Sequence, residues 1–548
     1  MSNPAILFEP DGYVVTRAHI MGRQAAGHGF LRAAVHGRAE APVWAYTPLQ
    51  ASANVFRTLV TEMDPDTEVG WILPHQFGRM RDRGLLYTPG PGLDVASRLR
   101  LRAGVDAYAI CGLTHTIASA RAMDEMAGLL TAPIMPWDAL ICTSTVARDT
   151  IDSIIAAQAD YLAWRLQGPV RPVLPLLPVI PLGVHCADFD ATPQDRLEAR
   201  AALGLAEDEI AVLFAGRLSP SGKAHPAPMW RGLQAVAERT GRKIAFVQSG
   251  QFFNQVAADM YRQGAAQVSA DVRHIFADGQ DNDLYRRIWG AADIFLSLAD
   301  SVQETFGLTP VEAMAAGLPA VVSDWDGYKD TVRNGLDGFR IPTWTPGPGA
   351  GSDIARDHET GWHSYDLYLS QLSTTVSVDF DVLVDRLSDL VVDGDLRRRL
   401  GDSGRRRARE VFDWRVVYAQ YQALWDEQTA LRAAHSGGRA PSASPSRPDP
   451  FQAFATYPTH HIIGATRVSL GPDPSRAWHD MMADGLFSLW RTDQRLRDAI
   501  LARLALGEAT LDVLAQATGL AAPAMSVIVS RLAKMGLVRL APTSPPAG

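Results

Sequence analysis

The chain has 548 residues, too many for one hydrophobic core, and its 47% hydrophobic and 20% charged content is that of a globular protein. A formal net charge of −8 argues against a general nucleic-acid binder, and the three scattered cysteines, Cys111, Cys142 and Cys186, suit buried thiols rather than a disulfide framework or a zinc site. The N-terminus lacks a basic region followed by a long apolar stretch, and no run reaches the roughly 18 apolar residues of a membrane span, so the expectation is a cytoplasmic chain, at most peripheral at the inner face of the membrane.

In chain order, short apolar β-rich runs alternate with longer helical patterns. The first series of predicted strands covers Ala5–Phe8, Val43–Tyr46, Gly70–Leu73, Ala107–Cys111, Ala139–Thr143 and Leu177–Pro181. The second covers Ile210–Leu218, Lys243–Gly250, Arg273–Gly279, Asp293–Ala299 and Pro319–Asp324. Apolar residues at both alternating positions suit strands covered on both faces, and the intervening helices predict parallel sheets with crossover connections. The expected class is α/β, with two doubly wound, Rossmann-like domains at 1–185 and 186–411 and a helix at 412–434.

Three segments depart from this alternation. Pro342–Asp366 is Gly/Pro-rich, then acidic and aromatic, too long for a plain connection and therefore a candidate functional loop. His435–Pro450 has linker composition. In the extension 451–548, Arg495–Leu540 reads as three short helices resembling a helix-turn-helix with a wing-like strand, a small, mainly helical domain. Its second helix, Pro523–Lys534, offers only Arg531 and Lys534 as basic residues, too few phosphate partners for tight DNA binding. Docking to a protein partner or homo-oligomerisation is the expected role. Arg79, Arg81, Arg83, Arg98, Arg100 and Arg102 form a basic region, either a solvated face or a surface for a phosphorylated acceptor or an anionic membrane.

The segment ETFGLTPVEAMAAG (Glu304–Gly317) carries the chemistry. Thr309 followed by Pro310 reads as a helix start, and Thr309-x-x-Glu312 has the form of a capping box. Capping accounts for Glu312 alone. It leaves Glu304 on the preceding loop unexplained, and Gly307, whose missing side chain admits a ligand to the backbone. The free N–H groups of such a helix start suit a diphosphate.

Glu304 and Glu312, with seven residues between them and followed by AMAAGLPAVVSD, resemble the E-x7-E region of the retaining glycosyltransferases of family 4 (glycosyl transferases group 1). Other segments fall in that family's order: LFAGRLSPSGK (Leu213–Lys223), VIPLGVHCADF (Val179–Phe189), DALICTSTVARDTI (Asp138–Ile151) and FDWRVVYAQYQALWDEQ (Phe412–Gln428). The resemblance covers residues 5–430 in scattered blocks and is most specific in the second half. It implies a GT-B fold of two facing Rossmann-like domains, with 412–434 as a closing helix that returns to the first.

The resemblance also implies roles. Arg217 and Lys223 would grip the donor diphosphate, with backbone N–H groups at Phe306, Gly307 and Leu308 contacting sugar and phosphate. Glu312 would hold the ribose hydroxyls and Glu304 the donor sugar. His115, just past a strand end, would lie beside the anomeric centre, although a lone histidine in a strand-to-helix turn is commonly structural. Gly22 and Gly27 in MGRQAAGHGF would face the diphosphate, in a loop that lacks the Lys-x-Gly-Gly form of starch and glycogen synthases. Asp324 and Asp326 look like a metal-binding pair, but the family requires no metal, so no metal and no cofactor are expected. The activity implied is transfer of a sugar from a nucleotide-diphosphate donor to a hydroxyl acceptor, whether polysaccharide, glycolipid or small molecule. A GT-B phosphorylase, or a ligand sensor acting through the helix-turn-helix, are the competing readings.

Overall fold

The computed structural model describes residues 3–15, 22–252, 254–279, 282–435, 437, 440–483, 485 and 493–542; Met21 of the glycine-rich loop and residues 436, 438 and 439 of the linker lie outside the described residues. The chain divides into two compact units, Met1–Ser444 and Pro445–Gly548.

The first unit is built on two parallel six-stranded sheets. One comprises β1 (Ala5–Leu7), β2 (Val43–Tyr46), β3 (Val69–Ile72), β4 (Leu85–Tyr87), β5 (Ala109–Leu113) and β6 (Ala139–Ile141), in the order β3-β2-β1-β4-β5-β6. The other comprises β7 (Ile210–Ala215), β8 (Ile244–Gly250), β9 (Val272–Asp278), β10 (Ile294–Ser297), β11 (Ala320–Ser323) and β12 (Gly338–Ile341), in the order β12-β11-β10-β7-β8-β9. Both follow the same doubly wound plan, the two-domain GT-B architecture expected above. Central strands such as β5 and β10 are buried along their whole length, which explains why they read as unbroken apolar runs.

Of these twelve strands two, β4 and β12, escaped the sequence reading, and one expected strand did not form. Leu177–Pro181 makes only isolated bridges beside β6, Ala139 with Leu176 and Cys142 with Val179. Pro175, Pro178 and Pro181 withhold the N–H groups that a ladder needs.

The helix Trp414–Ala433 runs from the second half of the unit onto the first sheet. Trp414 N–H donates to the Val184 carbonyl at 3.0 Å, and farther along the helix Gln428 Nε2 donates to the Ile110 and Trp137 carbonyls at 3.0 and 2.8 Å. Its face of Trp414, Tyr418, Tyr421 and Trp425 packs against Phe30 and Tyr87. Gly29 and Gly183 make room for the indole: a Cβ added to either would lie 2.7 or 2.3 Å from it.

The expected basic region is not one surface. Arg100 is fully buried, with Nη1 and Nη2 donating to Asp138 Oδ1 and Oδ2 at 2.6 and 2.7 Å, and Asp138 also accepts from the Ile110 and Met135 N–H groups. This buried pair ties β5 and β6 to the helix Leu93–Arg100, so Arg100 belongs to the core rather than to an anion-binding face.

Pro342–Asp366 belongs to a longer excursion. Thr343–Trp344 (β13) and Ser377–Val378 (β14) pair antiparallel and close the base of a hairpin holding the helices Ser352–Glu359 and Tyr365–Ser373. Thr343 Oγ1 donates to the Asp324 carbonyl at 3.0 Å, which roots the hairpin beside the loop that follows β11.

The second unit contains β15 (Arg467–Leu470), β16 (Ala509–Thr510) and β17 (Val538–Ala541) in the antiparallel order β16-β15-β17. The helices Gln494–Ala505, Leu511–Thr518 and Ala522–Lys534 close over Val468, Ile500, Leu514, Met525, Val529 and Leu532. The last two helices turn by 109°, with Gly519 at φ +70° between them. Among the described residues no single helix is long and apolar enough to cross a membrane.

Candidate active site

In each sheet the winding reverses between the first and fourth strands, at β1/β4 and β7/β10, and α/β sheets bind ligands outside the carboxyl ends of strands at such points. The loop after β7 carries Arg217 and Lys223; the loop after β10 carries Glu304. They are stitched together: Gly222 O accepts from Arg217 Nη2 at 2.9 Å and from Gln303 Nε2 at 3.0 Å.

Lys223 Nζ is paired with Glu304 Oε2, both side chains about five-sixths buried at 15% and 17% exposure. Burial opposes the ammonium charge, but the Glu304 carboxylate and Tyr328 outweigh it and hold the lysine pKa above its ordinary value. The Tyr328 ring lies 5.9 Å from Nζ, and its hydroxyl meets Ser297 Oγ at 3.0 Å. Gly307 crosses that ring with φ +92°; a Cβ there would sit 2.2 Å from Tyr328 Cε1. Here glycine is required both by the left-handed backbone and by the close approach.

The helix that follows begins earlier than the capping pattern predicts. Gly307 is its N-cap, the helix spans Leu308–Ala316, and no side chain caps it. Thr309 lies inside the first turn rather than at the N-cap, so the Thr309–Glu312 capping box does not form. Glu312 instead accepts from Tyr285 Oη at 3.2 Å. Burial pushes its pKa up to about 7, against the opposing influence of Tyr285 and Lys223. The first-turn N–H groups point out of the helix start, where a helix supplies its partial positive charge. Phe306 contributes backbone there while its ring packs on Phe412 at 5.9 Å.

Asp326 adds a third carboxyl. It occupies the left-handed region at φ +45°, and neighbouring Gly327 packs on the Thr305–Phe306 backbone. Burial and the nearby Glu304 charge raise the Asp326 pKa well above the carboxylate range. Asp324 lies 3.5 Å from the Arg340 guanidinium.

His115 follows β5 and is joined to this loop through backbone: Thr305 Oγ1 donates to the His115 carbonyl, and Thr143 Oγ1 donates to the Thr305 carbonyl at 3.4 Å. Thr145 N–H donates to Asp330 Oδ2 at 2.5 Å alongside. Burial, helped by the Arg23 charge, depresses the His115 pKa to about 4, so the imidazole is neutral at physiological pH. Gly22 opens the helix Gly22–His36, is exposed, and a Cβ there meets nothing within 4 Å. Gly27 does not supply a free N–H: it lies inside that helix and makes room for the Gly12 carbonyl, 2.1 Å from an added Cβ.

The structure therefore gathers Lys223, Glu304, Gly307, Leu308 and Glu312, sets Arg217 on the same loop as Lys223, and brings His115 against Thr305. Tyr285 was not singled out in the sequence, because a tyrosine in an amphipathic helix carries no motif. The role of Tyr328 as the floor under Gly307 and Lys223 needs the fold.

Residues 195–346 match the family described as glycosyl transferases group 1. A D-inositol 3-phosphate glycosyltransferase of Mycolicibacterium vanbaalenii is 31% identical over 174 residues, 31% of this chain and 38% of that protein. The protein of the same name from Nocardia farcinica is 27% identical over 263 residues, 46% of this chain and 50% of that one. The chain thus spans half or less of the length of these curated relatives. Among solved structures, that of Anabaena Alr3699/HepE in complex with UDP superposes with a TM-score of 0.50 at 15% identity, covering 78% of this chain and 100% of that one, a likeness of fold alone. The matched stretch, residues 195–346, holds Arg217, Lys223, Glu304 and Glu312, so this part of the chain is similar to the glycosyl transferases group 1 family, and the first unit has a GT-B fold.

Proposed function

We propose that the chain is a retaining glycosyltransferase that moves a sugar from a nucleotide-diphosphate donor to a hydroxyl acceptor. The observation that carries this reading is the convergence of Lys223, Glu304 and Glu312 at the uncapped start of the helix Leu308–Ala316. The match of residues 195–346 to the glycosyl transferases group 1 model, and the glycosyltransferase names of the relatives, support it.

In this reading the donor diphosphate sits on the N–H groups of Phe306, Gly307 and Leu308, near Lys223 and Arg217, with the N–H of Gly22 on the opposite side. Arriving phosphate oxygens draw the Lys223 ammonium away from Glu304 and free that carboxylate for the sugar hydroxyls. Glu312 accepts from the ribose hydroxyls, with Tyr285 fixing its orientation. Neutral His115 hydrogen-bonds the sugar near its anomeric carbon without repelling the positive charge that develops there. The bond from the anomeric carbon to the diphosphate oxygen breaks as the bond to the acceptor oxygen forms on the same face. The acceptor proton passes to the departing phosphate oxygen. Fixed cations and N–H dipoles stabilise the leaving charge in a site closed to water.

Calorimetric titration with UDP-, GDP-, ADP- and dTDP-sugars, on wild type and Glu312→Ala, tests the proposal. One donor should bind, and the variant should bind it at least tenfold more weakly. Absence of binding by every nucleotide sugar would remove the transferase reading and leave a phosphorylase, tested with inorganic phosphate, or a sensor.

A further inference from the structure

The hairpin between β13 and β14 is not needed to complete either sheet, yet it reaches across to the first half of the unit. Tyr365, at the start of the helix Tyr365–Ser373, brings its hydroxyl to 3.5 Å from Thr116 Oγ1, next to His115. The same tyrosine lies close enough to Arg217 to feel its charge. The hairpin end that carries Tyr365 therefore spans the space between the β5 side and the donor-side loop after β7.

Three residues before Tyr365, so within roughly 10 Å of chain, Trp362 is 79% exposed. Among the described residues no aromatic ring or cation packs on its indole. Side chains of this size normally fill cores or interfaces. The chain on either side of Trp362 is held in place. Ser364 caps the following helix through the Leu367 N–H at 3.3 Å, His363 N–H donates to the Asp357 carbonyl at 2.8 Å, and His358 stacks on Tyr368 with centroids 4.5 Å apart. An exposed indole on an ordered turn beside the proposed reaction centre has the form of a stacking platform.

The surrounding charge selects the ligand. Residues 345–376 contain four carboxylates, Asp353, Asp357, Glu359 and Asp366, against one guanidinium, Arg356. Arg356 is committed to Asp353 and Asp357 at 2.7 and 2.9 Å, whereas Glu359 and Asp366 are exposed and have no cationic partner within 4 Å among the described residues. A sugar ring offers a C–H face to an indole and a rim of hydroxyl donors to carboxylates. A phosphorylated or lipid-phosphate acceptor would meet a repulsive field.

We infer that the 345–376 hairpin is the acceptor-recognition wall, with Trp362 stacking on a ring of a neutral saccharide acceptor. This inference rests on the transferase reading and adds the acceptor class to it.

The test is release of nucleoside diphosphate by the full chain from the donor found by titration. It is run alone, with neutral disaccharides and methyl glycosides, and with anionic acceptors (inositol phosphate, and vesicles of phosphatidylglycerol). Neutral saccharides should accelerate release, and Trp362→Ala should raise the saccharide KM roughly tenfold with kcat within twofold, as loss of one stacked ring predicts. Trp362→Phe should recover most of that loss, which a folding defect would not do. Acceleration by the anionic acceptors only, by none of the acceptors, or an unchanged KM in Trp362→Ala would overturn the inference while donor turnover still stood. Absence of donor turnover under every condition would overturn the transferase reading and this inference with it.

Discussion

Replacing Glu312 by glutamine tests the site most sharply, because the carboxyl is perturbed by the fold and then used for a ligand. Its pKa rises from 4.5 to about 7 because burial disfavours the anion. The folded chain therefore holds this proton more tightly than the unfolded one. Below pH 4.5 the group is neutral in both states and costs nothing. Stability falls as pH rises from about 4.5 to about 7, and the full cost persists above that. A shift of this size corresponds to about 3 kcal/mol if undiluted, and solvent screening of a partly exposed residue reduces it to about 1–2 kcal/mol. Glu312→Gln, which keeps the oxygen that accepts from Tyr285, should raise the melting temperature by about 1–3 °C at pH 8 and leave it unchanged at pH 4. Donor binding should move the other way. The ribose hydroxyls donate to the ionised form, so wild-type affinity should improve about tenfold from pH 6 to pH 8. The variant should bind about 10–100-fold more weakly at pH 8, with a flat pH profile. Calorimetry and thermal melts across pH 4–8.5 measure both. A variant with wild-type affinity, or a wild type with flat pH dependence, would refute the ribose assignment.

Gly307→Ala places a Cβ 2.2 Å from Tyr328 at φ +92° and should cost about 2–4 kcal/mol with loss of donor binding, whereas Gly22→Ala, with open space around it, should change stability by less than about 0.5 kcal/mol; denaturant titration distinguishes the two. Lys223→Ala should weaken donor binding about 10–100-fold, read by titration, because the diphosphate loses a charge-assisted partner, and Lys223→Arg should restore part of it. Trp414→Ala should destabilise the Met1–Ser444 unit by about 3–5 kcal/mol, measured by urea unfolding, because the indole fills the space left by Gly29 and Gly183. Arg100→Ala should cost a similar amount, about 3–5 kcal/mol, by leaving Asp138 buried without its cation, while Arg100→Ala/Asp138→Ala should lose less than the sum of the two single variants.

Much of the frame was legible because it depends on local pattern. Strands buried on both faces announce themselves as apolar runs, so β1, β2, β3 and β7 to β11 were found within a few residues, and β5 and β6 with their ends displaced. β4 and β12 were missed, and Gly338 in β12 lowers strand propensity. Gly338 is there because a Cβ would meet the Ala320 carbonyl at 1.9 Å, a contact between strands far apart in sequence. The capping pattern at Thr309 misled for a related reason: tertiary packing of Gly307 on Tyr328 starts the helix two residues earlier than the local signal does.

By itself the sequence determined the α/β class, the two-sheet plan, and the family-like spacing of Arg217, Lys223, Glu304 and Glu312, since hydrophobic period and motif spacing are properties of neighbours along the chain. The tertiary structure alone decided what those residues meet. It paired Lys223 with Glu304 and gave Glu312 to Tyr285, buried Arg100 against Asp138, and carried Tyr365 on its hairpin to Thr116. Those contacts join residues 27 to 249 positions apart, and only the return of the chain through a packed core brings such groups within reach.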